Sequence, residues 1–448
     1  MIQTGLIPNA HNDLVTDASY DFYGLRLATC SLDQRVKIWQ LDESTGTWNL
    51  EHDWKAHDAA ISKVSWAHPE FGTILATASF DRTVKVWEQT VAPDGDGTQL
   101  NGASAGPSSS STRWVERAMR VDAKGTVRAV EFAPQHFGLK LATISSDNCL
   151  RIYECLEHPS LADWQLQEEV DVLSLPAASP APRSLSQTLT MATPTQPSTT
   201  LDGNSVSLVA HALQQQAAQN QLPGRPGLGT READGGWCIS WCKDKYWGEI
   251  IAAGCGIDGI VKIIQISPSR RPSTLLALNP APASSSSDAP ASKSSAAQGT
   301  SNGATDGDGP RTFAVTSIAW APSCGRSYHL IATGGRDGHV RIWRVKPPAP
   351  GDDLDGEGDA DGGAGAGSGD AGRWSASIVG DFDDHKSAVG RVEWNVTGTV
   401  LSSAGNDGRV RLWKMTAGNV WRPAGHISVE QAEEQQGDVD MGDMTAED

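Results

Sequence analysis

Short runs of alternating apolar and small residues recur along the chain, separated by tight polar turns. Six of them end alike, with an Asp six residues ahead of a closing aromatic or aliphatic side chain. The pairs are Asp33 with Trp39, Asp81 with Trp87, Asp147 with Tyr153, Asp258 with Ile264, Asp337 with Trp343, and Asp407 with Trp413. Segments such as LATCSLDQRVKIW, LATASFDRTVKVW and IATGGRDGHVRIW read as two period-two strands joined by an Asp turn. A further alternating run precedes each pair, as in ISKVSWAHPEFG, VRAVEFAPQHFG, VTSIAWAPSCGRS and VGRVEWNVTG. A fourth follows, placed at 47–54, 112–121, 162–170, 272–279, 373–382 and 419–425. Four strands repeated six times predict an all-β, six-bladed β-propeller.

The propeller is expected over 11–425, with blades near 11–54, 57–121, 126–170, 236–279, 314–382 and 385–425. Between the repeats, 90–111, 171–234, 280–310 and 347–372 are rich in Ser, Ala, Gly and Pro and nearly free of aromatics, as is the tail 429–448. Such segments bury too little apolar surface to offset the entropy of ordering them, so they are expected to be disordered loops and a disordered acidic tail. Without them 285 of the 448 residues remain, about 47 per repeat, which is the length of a four-stranded blade.

The net charge of −18 changes this picture little once it is located. Segment 347–372 carries seven acids and the tail eight, neither with a base, so fifteen of the eighteen charges sit outside the repeats. The repeats are near neutral and offer no basic footprint for nucleic acid and no cationic face for lipid. No apolar run is long enough to cross a bilayer, so direct membrane insertion is not expected. Seven cysteines, Cys30, Cys149, Cys238, Cys242 and Cys255 among them inside strands, together with an N-terminus lacking a signal sequence, predict free thiols in a reducing compartment.

The Asp turn with its closing Trp is the mark of a WD repeat. In such repeats a His bonds the turn Asp, and a strand Ser or Thr joins that His to the Trp indole. His11, His57 and His385 precede Asp33, Asp81 and Asp407 by 22, 24 and 22 residues. Ser31 and Ser79 fit the linking position; Gly405 occupies it in the last repeat, where the network is expected to be incomplete. A metal site or catalytic His–Asp pair is the competing reading, but spacing that recurs blade by blade favours a structural role. The expected structural set is therefore these residues with Trp39, Trp87, Asp147, Asp258, Asp337, Trp343 and Trp413.

Three local signals carry no chemistry. Gly254–Gly259 matches G-x-G-x-x-G but leads into the strand IVKIIQI and not into a helix. Cys238 and Cys242 lack the second ligand pair of a zinc site, and the Asn395 sequon falls in a hairpin turn. No nucleophile–base order, zinc helix or phosphate loop occurs, so no catalytic, cofactor-binding or metal residue is assigned and the chain reads as a binding scaffold.

WAHPEFGTILATASFDRTVKVWE, FAPQHFGLKLATISSDNCLRIYE, APSCGRSYHLIATGGRDGHVRIW and WNVTGTVLSSAGNDGRVRLWK resemble the small WD-repeat nucleoporin family of the Y-shaped outer ring of the nuclear pore. The resemblance implies an open propeller, completed in trans by a blade from a larger α-solenoid nucleoporin, beside other outer-ring nucleoporins. It also implies location at the nuclear pore, support of protein and mRNA transport, and a second role in the SEA/GATOR complex of TOR nutrient signalling at the vacuolar or lysosomal surface. Openness has support in the residues, since the last repeat supplies its own fourth strand near Trp421 and leaves none to zip against the first. The alternatives are the related COPII coat propeller and a peptide-recognition adaptor using loop residues such as Arg82 and Arg336. The donated-blade surface is expected at Leu14, Val15, Tyr20 and Phe22 of the first blade and Val389, Val392 and Trp394 of the last.

Overall fold

A computed structural model of the chain describes residues 6–91, 112–157, 160–176, 234–267, 270–280, 313–348 and 373–428. They belong to one compact unit, Met1–Ala178 with Asp234–Asp448; a second unit, Ser179–Ala233, lies outside the described residues. The segments expected to be disordered fall almost wholly outside them too. At the margins two boundaries move, because strands continue through Val91 and through Asp171 into spans assigned to loops.

The first blade comprises β1 (Val15–Tyr20), β2 (Arg26–Ser31), β3 (Arg35–Asp42) and β4 (Thr47–Lys55), and the second β5 (Ile61–Trp66), β6 (Ile74–Ser79), β7 (Val84–Val91) and β8 (Thr112–Arg120). The third holds β9 (Val127–Phe132), β10 (Lys140–Ser145), β11 (Cys149–Cys155) and β12 (Trp164–Asp171), and the fourth β13 (Gly236–Trp241), β14 (Ile250–Gly256), β15 (Val261–Ser267) and β16 (Arg270–Leu278). The fifth has β17 (Val315–Trp320), β18 (His329–Gly335), β19 (Val340–Lys346) and β20 (Ser375–Phe382), and the sixth β21 (Val389–Trp394), β22 (Val400–Gly405), β23 (Arg409–Met415) and β24 (Trp421–Ser428). Each blade is a separate four-stranded antiparallel sheet in sequence order, the architecture that the repeat predicts.

Two irregularities repeat with the blades. In all six, the pairing of third and fourth strands shifts at the closing residue, as between Ile38 and Trp39 or Leu412 and Trp413. A bulge there twists the outer strand and turns the large side chain toward the neighbouring blade. In blades one, two, three, five and six the first strand skips a residue, at Val15/Asp17, Ile61/Lys63, Val127/Ala129, Val315/Ser317 and Val389/Arg391. Residues three apart, such as Ile61 and Val64, therefore share a face.

The core consists of layers between blades. Second strands in the middle of the array are buried on both faces, as in β6 and β10, because a blade lies on each side. Apolar clusters join blades one and two, two and three, three and four, four and five, and five and six. Six blades thus carry five apolar interfaces among the described residues. Blade six shows the consequence in β22, where Leu401 and Ser403 are buried while Val400, Ser402 and Ala404 remain partly exposed.

Candidate functional site

The turn residues form hydrogen-bonded relays that tie five of the six Asp turns to their strands. In blade one, Trp39 Nε1 donates to Thr29 Oγ1 at 2.9 Å, Thr29 Oγ1 lies 2.8 Å from His11 Nε2, and His11 Nδ1 lies 2.9 Å from Asp33. The indole can only donate, so the hydroxyl donates onward and the ring N–H meets the carboxylate. Blade two repeats this with Trp87, Thr77, His57 and Asp81 at 3.0, 2.7 and 2.9 Å. In blade six Trp413, Ser403, His385 and Asp407 do so at 2.8, 2.8 and 3.0 Å.

Two expectations are corrected here. The link is Thr29, Thr77 or Ser403, four residues before the Asp, and not Ser31 or Ser79. Ser31 and Ser79 share its strand face, but they sit against the turn, where Ser31 Oγ accepts from Asp33 N at 3.1 Å and Ser79 Oγ from Asp81 N at 3.2 Å. The indole reaches the diagonal cross-strand position instead. For the same reason Gly405 leaves no gap, and the blade-six network is complete through Ser403.

Where the His is missing, an Arg four residues after the Asp takes its place. Arg151, fully buried, bonds Asp147 at 2.8 Å and Ser145 at 2.8 Å. Arg341 bonds Asp337 at 2.7 Å while Trp343 keeps Thr333 at 3.0 Å. Arg411 adds to His385 on Asp407 at 2.5 Å. Asp258 departs from the set and stands exposed in its turn. Burial pushes these carboxyls up, yet the hydrogen bonds win: Asp33, Asp81 and Asp147 are held below the usual range, and Asp407 is brought down to about 2 by His385 and Arg411. A carboxylate so bonded is a structural acceptor and no proton carrier near neutrality.

Other polar groups follow the same logic. Burial pushes the Cys242 and Cys255 thiols up to about 12, so neither is a ready ligand or nucleophile. No group of His, Cys and acidic side chains able to hold a metal occurs among the described residues. Around the opening between the first strands the cations are already paired, Lys63 with Asp17 at 3.0 Å and Lys243 with Glu131. Arg336 lies 3.6 Å from Asp234.

What stands open is the seam between blades one and six. Register identifies the missing contacts. Ile61, Trp66, Leu75 and Trp87 of blade two pack on blade one; Val15, Tyr20, Leu27 and Trp39 hold the same pairing positions in blade one. No apolar cluster includes that second set; Val15 is 48% and Tyr20 57% exposed, whereas Leu27 at 9% and Trp39 at 7% are already buried. Beyond them Leu14 is 72% and Phe22 65% exposed, with the Phe22 ring edge-on to His68 at 4.8 Å.

The blade-six half of the expected surface is corrected. Val389 and Val392 are buried in the cluster with blade five, and Trp394 packs on it with its indole donating to Ala319 O at 2.9 Å. The bulge in β21 places both valines on the inner face, which parity alone would not. The side facing the seam carries Arg391, Glu393, Ser402, Ala404, Val410 and Leu412. Val410, at 37% exposure, matches Val36, which blade two buries completely.

Blades also pin one another through hydroxyls in the first-strand bulge. Thr16 Oγ1 donates to Ile61 O at 2.6 Å, Ser62 Oγ to Val127 O at 2.7 Å, and Thr316 Oγ1 to Val389 O. The matching residue in blade six is Gly390, and a Cβ there would meet only Ala404 O at 3.8 Å. Register, exposure and the missing pin all mark the same face.

Comparison with known proteins gives this geometry a context. The model of the WD domain, G-beta repeat, matches residues 4–40, 48–88, 306–344 and 376–414, the blades that close on Trp. Nucleoporin SEH1 of Saccharomyces cerevisiae is 31% identical over 94% of this chain and 99% of its own length. Nucleoporin seh1 of Schizosaccharomyces pombe is 30% identical over 97% and 98%, and Nucleoporin SEH1 of Homo sapiens 33% over 93% and 85%. Among solved structures, Chaetomium thermophilum Sqt1 bound to the N-terminus of ribosomal protein L10 aligns at a TM-score of 0.46 with 14% identity, covering 94% of this chain and 76% of that one.

Proposed function

The chain belongs to the nucleoporin SEH1 family, and from that membership we propose that it is a non-enzymatic scaffold subunit of the nuclear pore's outer ring, taking a blade from a larger α-solenoid nucleoporin into the seam between its first and sixth blades. In that role it sits at the nuclear pore beside other outer-ring nucleoporins and supports transport of protein and mRNA. The same seam serves a solenoid subunit of the SEA/GATOR complex in TOR signalling.

The observation that carries this reading is that, among the described residues, the six blades have five apolar interfaces, leaving at the seam two sheet faces with the register of an interface and no apolar cluster between them. A donated sheet would cover Val15 and Tyr20 on one side and Val410 on the other, which extends strand addition to a whole blade. Apolar area buried at such a site contributes roughly 25 cal/mol per Å2 before the costs of association.

The test is affinity capture of the tagged chain from cells with mass spectrometry, beside a variant carrying Val15→Lys and Tyr20→Ser. An α-solenoid nucleoporin should be recovered in equal amount with the parent chain and lost from the variant. Capture of COPII coat subunits, or of no stoichiometric partner, would overturn the reading.

A further inference from the structure

Among the described residues an ion pair crosses the seam. Asp17 on β1 is buried, with its side chain 1% exposed, and its carboxylate meets three donors on two other blades. Lys63 Nζ lies 3.0 Å away and Val64 N donates at 3.1 Å, both from blade two. Arg391 Nη1 donates from β21 of blade six to Oδ1, the oxygen that Lys63 holds, while Val64 N holds Oδ2. Asp17, Lys63 and Arg391 follow the same first-strand bulge in their blades, so the three charges stand side by side at the inner end of the sheets.

Arg391 fills a place that an inserted blade needs. Every first strand with a blade on both sides lies between the first strands of its neighbours, as β5 lies between β1 and β9 through the pins from Thr16 and Ser62. The first strand of a seventh blade would likewise run between β21 and β1, where the Arg391 side chain now reaches Asp17. We propose that the Arg391–Asp17 pair is a releasable latch: it closes the inner end of the seam in the free chain and is displaced when a blade enters.

Both partners have somewhere to go. Asp17 keeps Lys63 and the Val64 N–H, so release strands no buried charge, the usual reason that breaking such a pair is expensive. Arg391 keeps Glu393, whose carboxylate is 3.1 Å from its guanidinium. A carboxylate with two cations and an arginine with two carboxylates can part and each keep one ion pair.

This rests on the seam being the docking face, so the test separates the two. Hydrogen exchange is measured on the free full chain for the parent, Arg391→Gln and Lys63→Gln. Both variants remove one cation from the same carboxylate, but Lys63 crosses a packed interface and Arg391 an open one. Exchange in β1 and β21 should rise about threefold or more in Arg391→Gln and stay near the parent in Lys63→Gln, with β9 and β17 unchanged in both. Equal behaviour of the two variants, or no change in Arg391→Gln, would overturn the latch. The second arm is association with the solenoid nucleoporin captured with the parent chain: Arg391→Gln should associate about threefold faster or more, and an unchanged or slower rate overturns the displacement step. A parent chain that captures no solenoid sinks the docking reading and the displacement with it, while the exchange result still decides the latch.

Discussion

Thr77 has no exposure and serves two masters, accepting from Trp87 and bonding His57. Thr77→Val keeps the volume and deletes both bonds, leaving buried polar groups unpaired at about 1–3 kcal/mol; thermal unfolding followed by Trp fluorescence should show a correspondingly lower midpoint. Asp407 sets an acid limit. Its carboxyl is brought down from its ordinary value to about 2, so the stability it contributes is present above pH 4 and is lost as pH falls toward 2. Replacing it with Asn removes that portion, so the parent should lose more of its unfolding midpoint between pH 4 and 2 than Asp407→Asn does. The His and Asp ends of these relays were legible from spacing alone. The link was not, because residues 29 and 31 share a strand face and only the reach of the indole chooses between them.

At the scale of the element, the Asp turns mark out the second and third strands because turn chemistry and period two coincide there. The first-strand bulge hides from parity, and it moved the expected seam residues Val389 and Val392 into the core. With the structure in view, the spacing of Ile61 with Val64, Val315 with Ile318 and Val389 with Val392 is the sign that could have found it. The hydroxyl pins give a paired test. Thr16→Val should destabilise the free chain by about 1 kcal/mol, because the Ile61 carbonyl loses its donor. Gly390→Ser should leave the free chain within about 0.5 kcal/mol, since the new hydroxyl would find only Ala404 O of its own sheet and no carbonyl of a neighbouring blade. Equal losses in chemical denaturation would contradict a seam without a neighbour.

For the whole molecule, five interfaces joining six blades make a linear stack with two terminal units. In such arrays each unit draws stability from its neighbours, so the ends open first. Native-state hydrogen exchange should therefore grade protection, highest in β9 to β15 and lowest in β1 and in β21 to β23; uniform protection would argue for a closed ring. The number of blades followed from repeat count and length, and the apolar residues of blade one singled out from the sequence, Leu14, Val15, Tyr20 and Phe22, are all exposed; the seam side of blade six was not legible, because its bulge decides which residues blade five buries.

Under the proposed docking, the terminal blades would also set how long a molecule of this protein lasts. A copy with a blade in its seam would have its frayed ends covered, whereas an unpaired copy presents Val15, Tyr20 and Val410 to any surveillance that reads exposed apolar surface. Abundance would then follow supply of the companion subunit, and cells making too little of the companion should clear this chain faster without any change in its synthesis.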